Sequence, residues 1–259
     1  MKFCVLGSGS KGNSTYITDG GVNILVDAGL PVRTLAERLS QVGVAISSID
    51  ALLCTHDHSD HYQGIRGLMR VCPATMLFAN EGTAEGIDRA FPRASFEWRI
   101  FESSTPFNIG SMTITPFPVP HNAADPVGFT IASEGRMLGI ATDLGCALPS
   151  VQESLADCHA LILESNYDYD MLMASDRPWS VRCRIAGIRG HLSNDAAAEF
   201  IQTMHTDKLQ SLHLAHISHE CNTTYYAHMS MSQALLECGL GDITLSCLRQ
   251  NEASLMYDV

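Results

Sequence analysis

The chain has 259 residues, 16 Lys and Arg against 28 Asp and Glu, and a formal charge of −12 with histidine neutral. That acidity excludes a nucleic-acid binder working through a broad basic surface, because phosphate contacts need clustered Lys and Arg. Hydrophobic residues make up 46% and charged residues 17%, the composition of a globular rather than a disordered protein, and the one unusual count is 11 histidines.

In chain order, the apolar residues 1–6 give way to the glycine- and serine-rich segment 7–14, too soon for a secretory signal. No stretch approaches the roughly 18 apolar residues of a membrane span. A cytoplasmic protein without a membrane partner is expected. Lys11-Gly12 inverts the order a P-loop requires, so segment 7–14 reads as a tight turn near a site. Short apolar runs bounded by turn residues predict strands over 22–28, 49–55, 75–79, 111–119, 129–132, 137–142, 160–164, 212–217 and 243–248. Amphipathic spacing predicts a helix over 32–42, with Leu35, Leu39 and Val42 on one face. It predicts another over 194–205, with Ala197, Ile201 and Met204 together and Asn194 as its N-cap. The strands between 111 and 142 follow one another as a meander. The class is α/β: two mixed sheets flanked by helices, in a single domain over 1–259 with no linker to divide it. The nine cysteines are an odd number with no Cys-x-x-Cys pair, and read as mostly small buried apolar residues.

The strongest local signal is Thr55-His56-Asp57-His58-Ser59-Asp60-His61, directly after the 49–55 strand. In an extended turn His56 and His58 face the same side, whereas Asp60 and His61 fall where a helix starts near Tyr62. Two ligand pairs pointing in different directions suit two metals side by side, against the plainer alternative of a polar helix start capped by Asp57, Ser59 or Asp60. Histidine with carboxylate suits zinc, manganese or iron, and the missing thiolate set argues against a closed structural zinc site. Further ligand candidates stand at later strand ends: His121 after 111–119, Asp143 after 137–142, and His216 within 212–217.

This His-x-His-x-Asp-His motif, with a preceding strand ending in Asp27 and isolated His, Asp and His at later strand ends, resembles the metallo-β-lactamase superfamily over essentially the whole chain. The resemblance implies an αββα sandwich of two similar halves with two metals at one sheet edge. It implies that His56, His58 and His121 bind the first metal and Asp60, His61 and His216 the second, with Asp143 between them. Asp27, in Val26-Asp27-Ala28-Gly29, is similar to the family's supporting aspartate, which orients ligands. The segments Gly7-Ser8-Gly9-Ser10-Lys11-Gly12-Asn13-Ser14, Thr142-Asp143-Leu144-Gly145, Leu163-Glu164-Ser165-Asn166-Tyr167-Asp168, Gly190-His191-Leu192-Ser193-Asn194 and Leu214-Ala215-His216-Ile217-Ser218 look like the YycJ/WalJ branch, related to ribonuclease Z and PhnP-type phosphodiesterases. For that branch the implied activity is phosphodiester hydrolysis, as a DNA exonuclease running 5′ to 3′. The long inserted arm with which ribonuclease Z grips tRNA has no counterpart here, which disfavours tRNA processing.

Two divalent ions, zinc or manganese with iron as a third choice, roughly 3.5 to 4 Å apart can share a hydroxide at neutral pH and clamp the oxygens of an in-line displacement. They bring about +4, of which Asp60 and Asp143 remove two, leaving the site near +2 and suited to a phosphodiester anion. Asp60, His191 and Glu164 are the catalytic candidates. His191 resembles the branch's general acid, and Glu164 at a strand end can orient it. The expected substrate is a DNA end, gripped by the metals and a few local cations among Lys11, Arg182, Arg184 and Arg189. The alternatives are a small or cyclic phosphodiester, or a thioester as in glyoxalase II. The aromatic residues between Tyr167 and Trp179 stack bases or pack a homodimer. Roles for Asn13, Asn166 and Asn222 are not readable from the sequence.

Overall fold

The structure, a computed structural model, describes residues 1–204 and 206–259. Strands β1 (Lys2–Gly7), β2 (Ser14–Thr18) and β3 (Asn23–Val26) form an antiparallel meander. Helices then alternate with parallel strands: α1 (Val32–Gln41), β4 (Ala51–Leu53), α2 (Ser59–Tyr62), α3 (Ile65–Val71), β5 (Met76–Ala79), α4 (Glu81–Ala90) and β6 (Trp98–Ile100). The second half repeats the plan. Strands β7 (Phe107–Ile109), β8 (Met112–Pro118), β9 (Val127–Ser133) and β10 (Arg136–Ala141) are antiparallel. There follow α5 (Pro149–Leu155), β11 (Ala160–Glu164), α6 (Tyr169–Ala174), α7 (Trp179–Ile185), α8 (Asn194–Thr203), β12 (Ser211–Ala215), α9 (Thr224–Glu237) and β13 (Thr244–Cys247), with β10 to β13 parallel. A last short strand, β14 (Tyr257–Asp258), returns to pair with β1. The sheets run β14-β1-β2-β3-β4-β5-β6 and β13-β12-β11-β10-β9-β8-β7.

The strands read as continuous apolar runs because both of their faces are covered. In β11, Ala160 and Ile162 face the other sheet, joining Phe3, Val26, Leu53, Phe129 and Ile140 in the central layer. Its alternate residues Leu161 and Leu163 pack outward against Leu155, Phe200, Ile201, Met231 and Leu235 of the helices. On the opposite side Leu25 and Leu52 meet Leu35, Leu39, Ile65, Leu68 and Ile87. The result is the αββα sandwich expected from the sequence. A strand forms at each of the nine predicted places, most with ends shifted by a few residues and β9 longer than predicted, whereas β1, β2, β6, β7, β14 and helices α4, α5, α6, α7 and α9 had not been placed from the sequence. No helix among the described residues is long and apolar enough to cross a membrane.

Two sequence expectations need correction. Asn194 is not the N-cap of α8: Ser193 holds that position, its Oγ accepting the Ala196 N–H at 3.0 Å. The Asn194 amide is instead committed to Ser165 and Asn222, so it cannot turn back onto its own helix. The strand containing His216 stops at Ala215, leaving His216 just beyond it with φ +53°. The predicted end of α8 at His205 lies outside the described residues; the described helix ends at Thr203. Five of the nine cysteines are buried, and none forms a disulfide.

One buried histidine plays no part in the site. His213 of β12 stands between the rings of Phe3 and Tyr257, its Nδ1 bonded to Ser246 Oγ at 2.7 Å and its Nε2 without a partner. Burial pushes its pKa down to about 4. Between an unfolded value near 6.5 and that figure, the unfolded chain binds the proton and the folded chain does not, so stability falls as pH drops through this window. The expected loss is on the order of 2 kcal/mol by pH 5. Urea unfolding of the protein and of His213→Leu at pH 7.5 and pH 5 checks this; equal pH dependence in the two would contradict it.

Candidate metal centre

Both halves of the fold deliver their polar residues to the same place, the carboxyl ends of the parallel strands, where α/β sheets commonly carry their sites. Asp27 follows β3, Thr55 and His56 follow β4, Asp143 follows β10, Glu164 ends β11 and His216 follows β12. Asp27, Asp143 and His216 adopt φ of +62°, +56° and +53°, a left-handed backbone that ends each strand and turns the side chain inward. Non-glycine residues are held there only when their surroundings over-determine the conformation. Asp27 and Asp143 occupy equivalent positions, each at the end of the last antiparallel strand of its half.

The segment 7–14 closes one side. Ser8 Oγ accepts the His216 N–H at 2.7 Å, and Asn13 N–H donates to Asp60 O at 2.8 Å. Gly29 lies so close beneath that a Cβ would stand 1.6 Å from Asp60 O. On the other side Gly145 performs a similar function: a Cβ there would meet Ile188 O at 2.4 Å and Gly190 N at 2.6 Å. Only glycine lets the loop carrying His191 rest on the loop carrying Asp143, and this close approach links the Thr-Asp-Leu-Gly and Gly-His-Leu-Ser segments.

All seven expected ligands converge. Donor atoms of His56, His58 and His121 lie within 4.8 Å of one another, as do those of Asp60, His61 and His216, those of His56, His61 and Asp143, and those of Asp143, Glu164, His191 and His216. Asp143 stands between the groups: Oδ2 is 3.0 Å from His61 Nε2, while Oδ1 is 3.7 Å from His121 Nε2 and 3.5 Å from His216 Nδ1. Three of the histidines are oriented from behind through Nδ1. His61 donates to Asp27 Oδ2 at 2.7 Å, His121 to Gly190 O at 2.9 Å, and His216 to Glu164 Oε1 at 2.8 Å. These partners favour the proton on Nδ1, so each Nε2 is turned toward the centre. Asp27 also accepts the Thr55 N–H and Thr55 Oγ–H, both at 2.9 Å.

Glu164 is fully buried and its oxygens are saturated. Oε2 accepts the N–H groups of Leu144 (2.8 Å) and Leu192 (3.1 Å), while Oε1 lies 2.8 Å from Nδ1 of both His191 and His216. It contacts the catalytic candidate His191 and equally the ligand candidate His216, and this sharing had not been foreseen. His191 is 21% exposed and lines a cleft of about 230 Å³ together with His58, Asp60, His121 and Arg184.

Charge explains how the cluster titrates. Burial opposes the charged form of every group, but at His61 it is outweighed by Asp27 and Asp143, which raise its pKa well above the ordinary range. At His216 Asp143, Asp60 and Glu164 likewise outweigh burial and raise the value to about 10. Facing these cations, Asp143 is held well below the carboxylate range, and His191 together with His216 holds Glu164 at about 2, despite the burial of both carboxylates. His56 and His121 go the other way, burial pushing both down. The carboxylates therefore hold cations in their midst, and protons are the cations they take when nothing else is bound.

A family model described as a beta-lactamase superfamily domain matches residues 22–217. The chain belongs to the metallo-β-lactamase superfamily. Among its relatives, Exodeoxyribonuclease YycJ of Bacillus anthracis is 32% identical over 242 residues, covering 93% of this chain and 91% of its own. Exodeoxyribonuclease WalJ of Streptococcus pneumoniae serotype 2 is 30% identical over 244 residues, covering 93% and 90%. The Zn(2+)-bound PqqB of Methylobacterium extorquens has the same fold, with a TM-score of 0.77 at 16% identity over the whole of both chains. This metallo-β-lactamase family member is a metal-dependent hydrolase.

The residues present suit divalent metal. His56 Nε2 and His216 Nε2 are buried without a hydrogen-bond partner, an arrangement that costs stability unless something coordinates them. The charge balance expected from sequence needs revision, because Asp27 and Glu164 add two buried carboxylates to Asp60 and Asp143. Two divalent ions would thus leave the site near neutral rather than near +2.

Three asparagines whose roles were not readable from the sequence find their partners around the site. Asn13 places Nδ2 3.0 Å from His61 Nε2. Asn166 donates to His216 O at 2.6 Å. Asn222 ties Ser165 O, Asn166 O and Asn194 Oδ1 together. Their burial is the only common signal, and a lone asparagine in a sequence does not reveal it. Because Asp27 fixes His61, Asp27→Asn is expected to lower metal affinity 10- to 100-fold. Competition against a metal-binding dye measures this; an unchanged affinity would remove Asp27 from that role.

Proposed function

We propose that this enzyme hydrolyses phosphodiesters with two zinc or manganese ions, and that its substrate is a DNA end degraded 5′ to 3′. The observation that carries the reading is the His191–Glu164 pair: an imidazole at the cleft, outside the His56–His58–His121 and Asp60–His61–His216 groups, held through Nδ1 by a carboxylate whose two oxygens already meet two backbone N–H groups and two imidazoles. Both similar relatives, YycJ and WalJ, are named exodeoxyribonucleases, which supports DNA as the substrate.

When bound, divalent ions supply Lewis acidity toward phosphoryl oxygens and lower the pKa of a coordinated water. His56, His58 and His121 would hold one ion and Asp60, His61 and His216 the other, with Asp143 between. Asp27 and Glu164 keep His61 and His216 in the tautomer that offers Nε2. His191, held through Nδ1 by Glu164, would deliver a proton from Nε2 to the leaving alkoxide.

The cleft of about 230 Å³ favours one second reading, a small or cyclic phosphodiester. Metal analysis coupled to hydrolysis of 5′-phosphorylated DNA, RNA, a cyclic nucleotide, bis(p-nitrophenyl) phosphate and a thioester separates the two. Chelation is expected to abolish turnover and added manganese or zinc to restore it. Preferential thioester turnover would overturn phosphodiester chemistry altogether.

A further inference from the structure

Residues 177–190 contain four arginines, Arg177, Arg182, Arg184 and Arg189, and no Asp or Glu, in a chain whose 16 basic residues are outnumbered by 28 acidic ones. Glu220 neutralises Arg177 at 2.7 Å. Arg182 lies over the Trp179 ring, 5.3 Å from its centroid. Arg184 and Arg189 are exposed and, among the described residues, have neither an ion-pair nor a hydrogen-bond partner. Trp179 is 64% exposed and Ile188 75%, so the same short segment also presents bare apolar surface.

Folding gains nothing from gathering like charges around an exposed aromatic ring, and such a surface marks an interaction site. Its position gives the partner. Arg184, Ile185, Gly190 and His191 form one wall of the metal cleft, and Gly145 lets this loop rest against the Asp143 loop. A cavity of about 230 Å³ accommodates the reacting end of a strand and little more, so the following nucleotides must lie on the surface beside it. Guanidinium groups pair with phosphate oxygens, and an exposed indole stacks on a base of any sequence.

We propose that residues 177–190 grip a nucleic-acid strand whose end occupies the metal cleft, with Arg184 and Arg189 on successive phosphates and Trp179, backed by Arg182, stacked on a base. This rests on the phosphodiesterase reading above. The surface is local, which reconciles strand binding with an acidic chain.

The test uses the metal-loaded full chain and a 3′-fluorescein-labelled, 5′-phosphorylated phosphorothioate DNA strand, with binding read by anisotropy over a salt series. Arg184→Ala with Arg189→Ala is expected to weaken binding roughly 10- to 100-fold at low salt and to reduce the log–log salt slope by about 1.4, near 0.7 per lost contact. The corresponding double lysine variant restores the slope. Trp179→Ala weakens binding roughly tenfold with no change of slope. Circular dichroism melting confirms that each variant folds. Hydrolysis of bis(p-nitrophenyl) phosphate provides the separating control, with the loss on a cleavable DNA strand expected to exceed the loss on this small diester at least tenfold. No strand binding by the parent protein, an unchanged slope in the alanine pair, or equal losses on strand and small diester would each overturn the grip. A parent protein that binds the strand with this pattern but cleaves neither substrate would uphold the grip and refute the phosphodiesterase reading.

Discussion

Asp143→Asn is expected to leave a folded protein with its metal content cut by at least half and hydrolysis reduced at least ~10³-fold, about 4 kcal/mol on the barrier. The substitution preserves shape but removes one negative charge from the point where the ligand groups meet. Asp143 Oδ2 lies 3.0 Å from His61 Nε2, and Oδ1 faces His121 and His216 at 3.7 and 3.5 Å. An amide there offers a neutral oxygen to one group and an N–H to the other, and N–H cannot coordinate a cation. His58→Ala should lose metal and turnover in the same way, because His58 belongs to the His56 and His121 group. Metal analysis of purified protein with parallel hydrolysis assays measures both effects. Stoichiometric metal with normal turnover in either variant would refute the assignment.

His191→Ala is expected to dissociate metal content from activity. The side chain lies outside the His56–His58–His121 and Asp60–His61–His216 groups, and although it clusters with Asp143, Glu164 and His216 its Nδ1 is anchored at 2.8 Å to Glu164, so its removal should leave metal stoichiometry intact. Loss of a positioned general acid should slow cleavage of a natural diester, whose alkoxide leaves poorly, by about 10²- to 10⁴-fold. An activated aryl diester needs no proton on its leaving group, and its hydrolysis should fall far less. Comparing kcat on DNA and on bis(p-nitrophenyl) phosphate reads the difference. Equal losses on both substrates, or loss of metal, would contradict the acid role. Glu164→Gln should give a mixed phenotype, since that carboxylate also orients His216.

Much of the site was legible because its chemistry is local. His56, His58, Asp60 and His61 fall within six residues after a strand, and their density is visible without a structure. Asp143 and His216 were legible as polar residues at the ends of apolar runs. The sharing of Glu164 between His191 and His216 was not, since these residues are separated by 27 and 52 positions and meet only when loops from three elements converge. Nor was the left-handed backbone at Asp27, Asp143 and His216, because Asp and His are ordinarily comfortable with φ below zero, and only the crowded strand ends hold them elsewhere.

By itself the sequence determined the layers and the first metal-binding motif. Strands buried on two faces must be apolar throughout, amphipathic helices must cover them, and a ligand cluster this dense has few other uses. The tertiary structure alone decided which oxygen serves which histidine, that four rather than two carboxylates balance the site, and that the arginines of residues 177–190 stand beside the cleft. Hydrophobic periodicity is imposed by the nearest layer and so leaves a regular mark along the chain. The polar geometry arises where two halves of the fold meet, between residues far apart in sequence, and no local pattern records it.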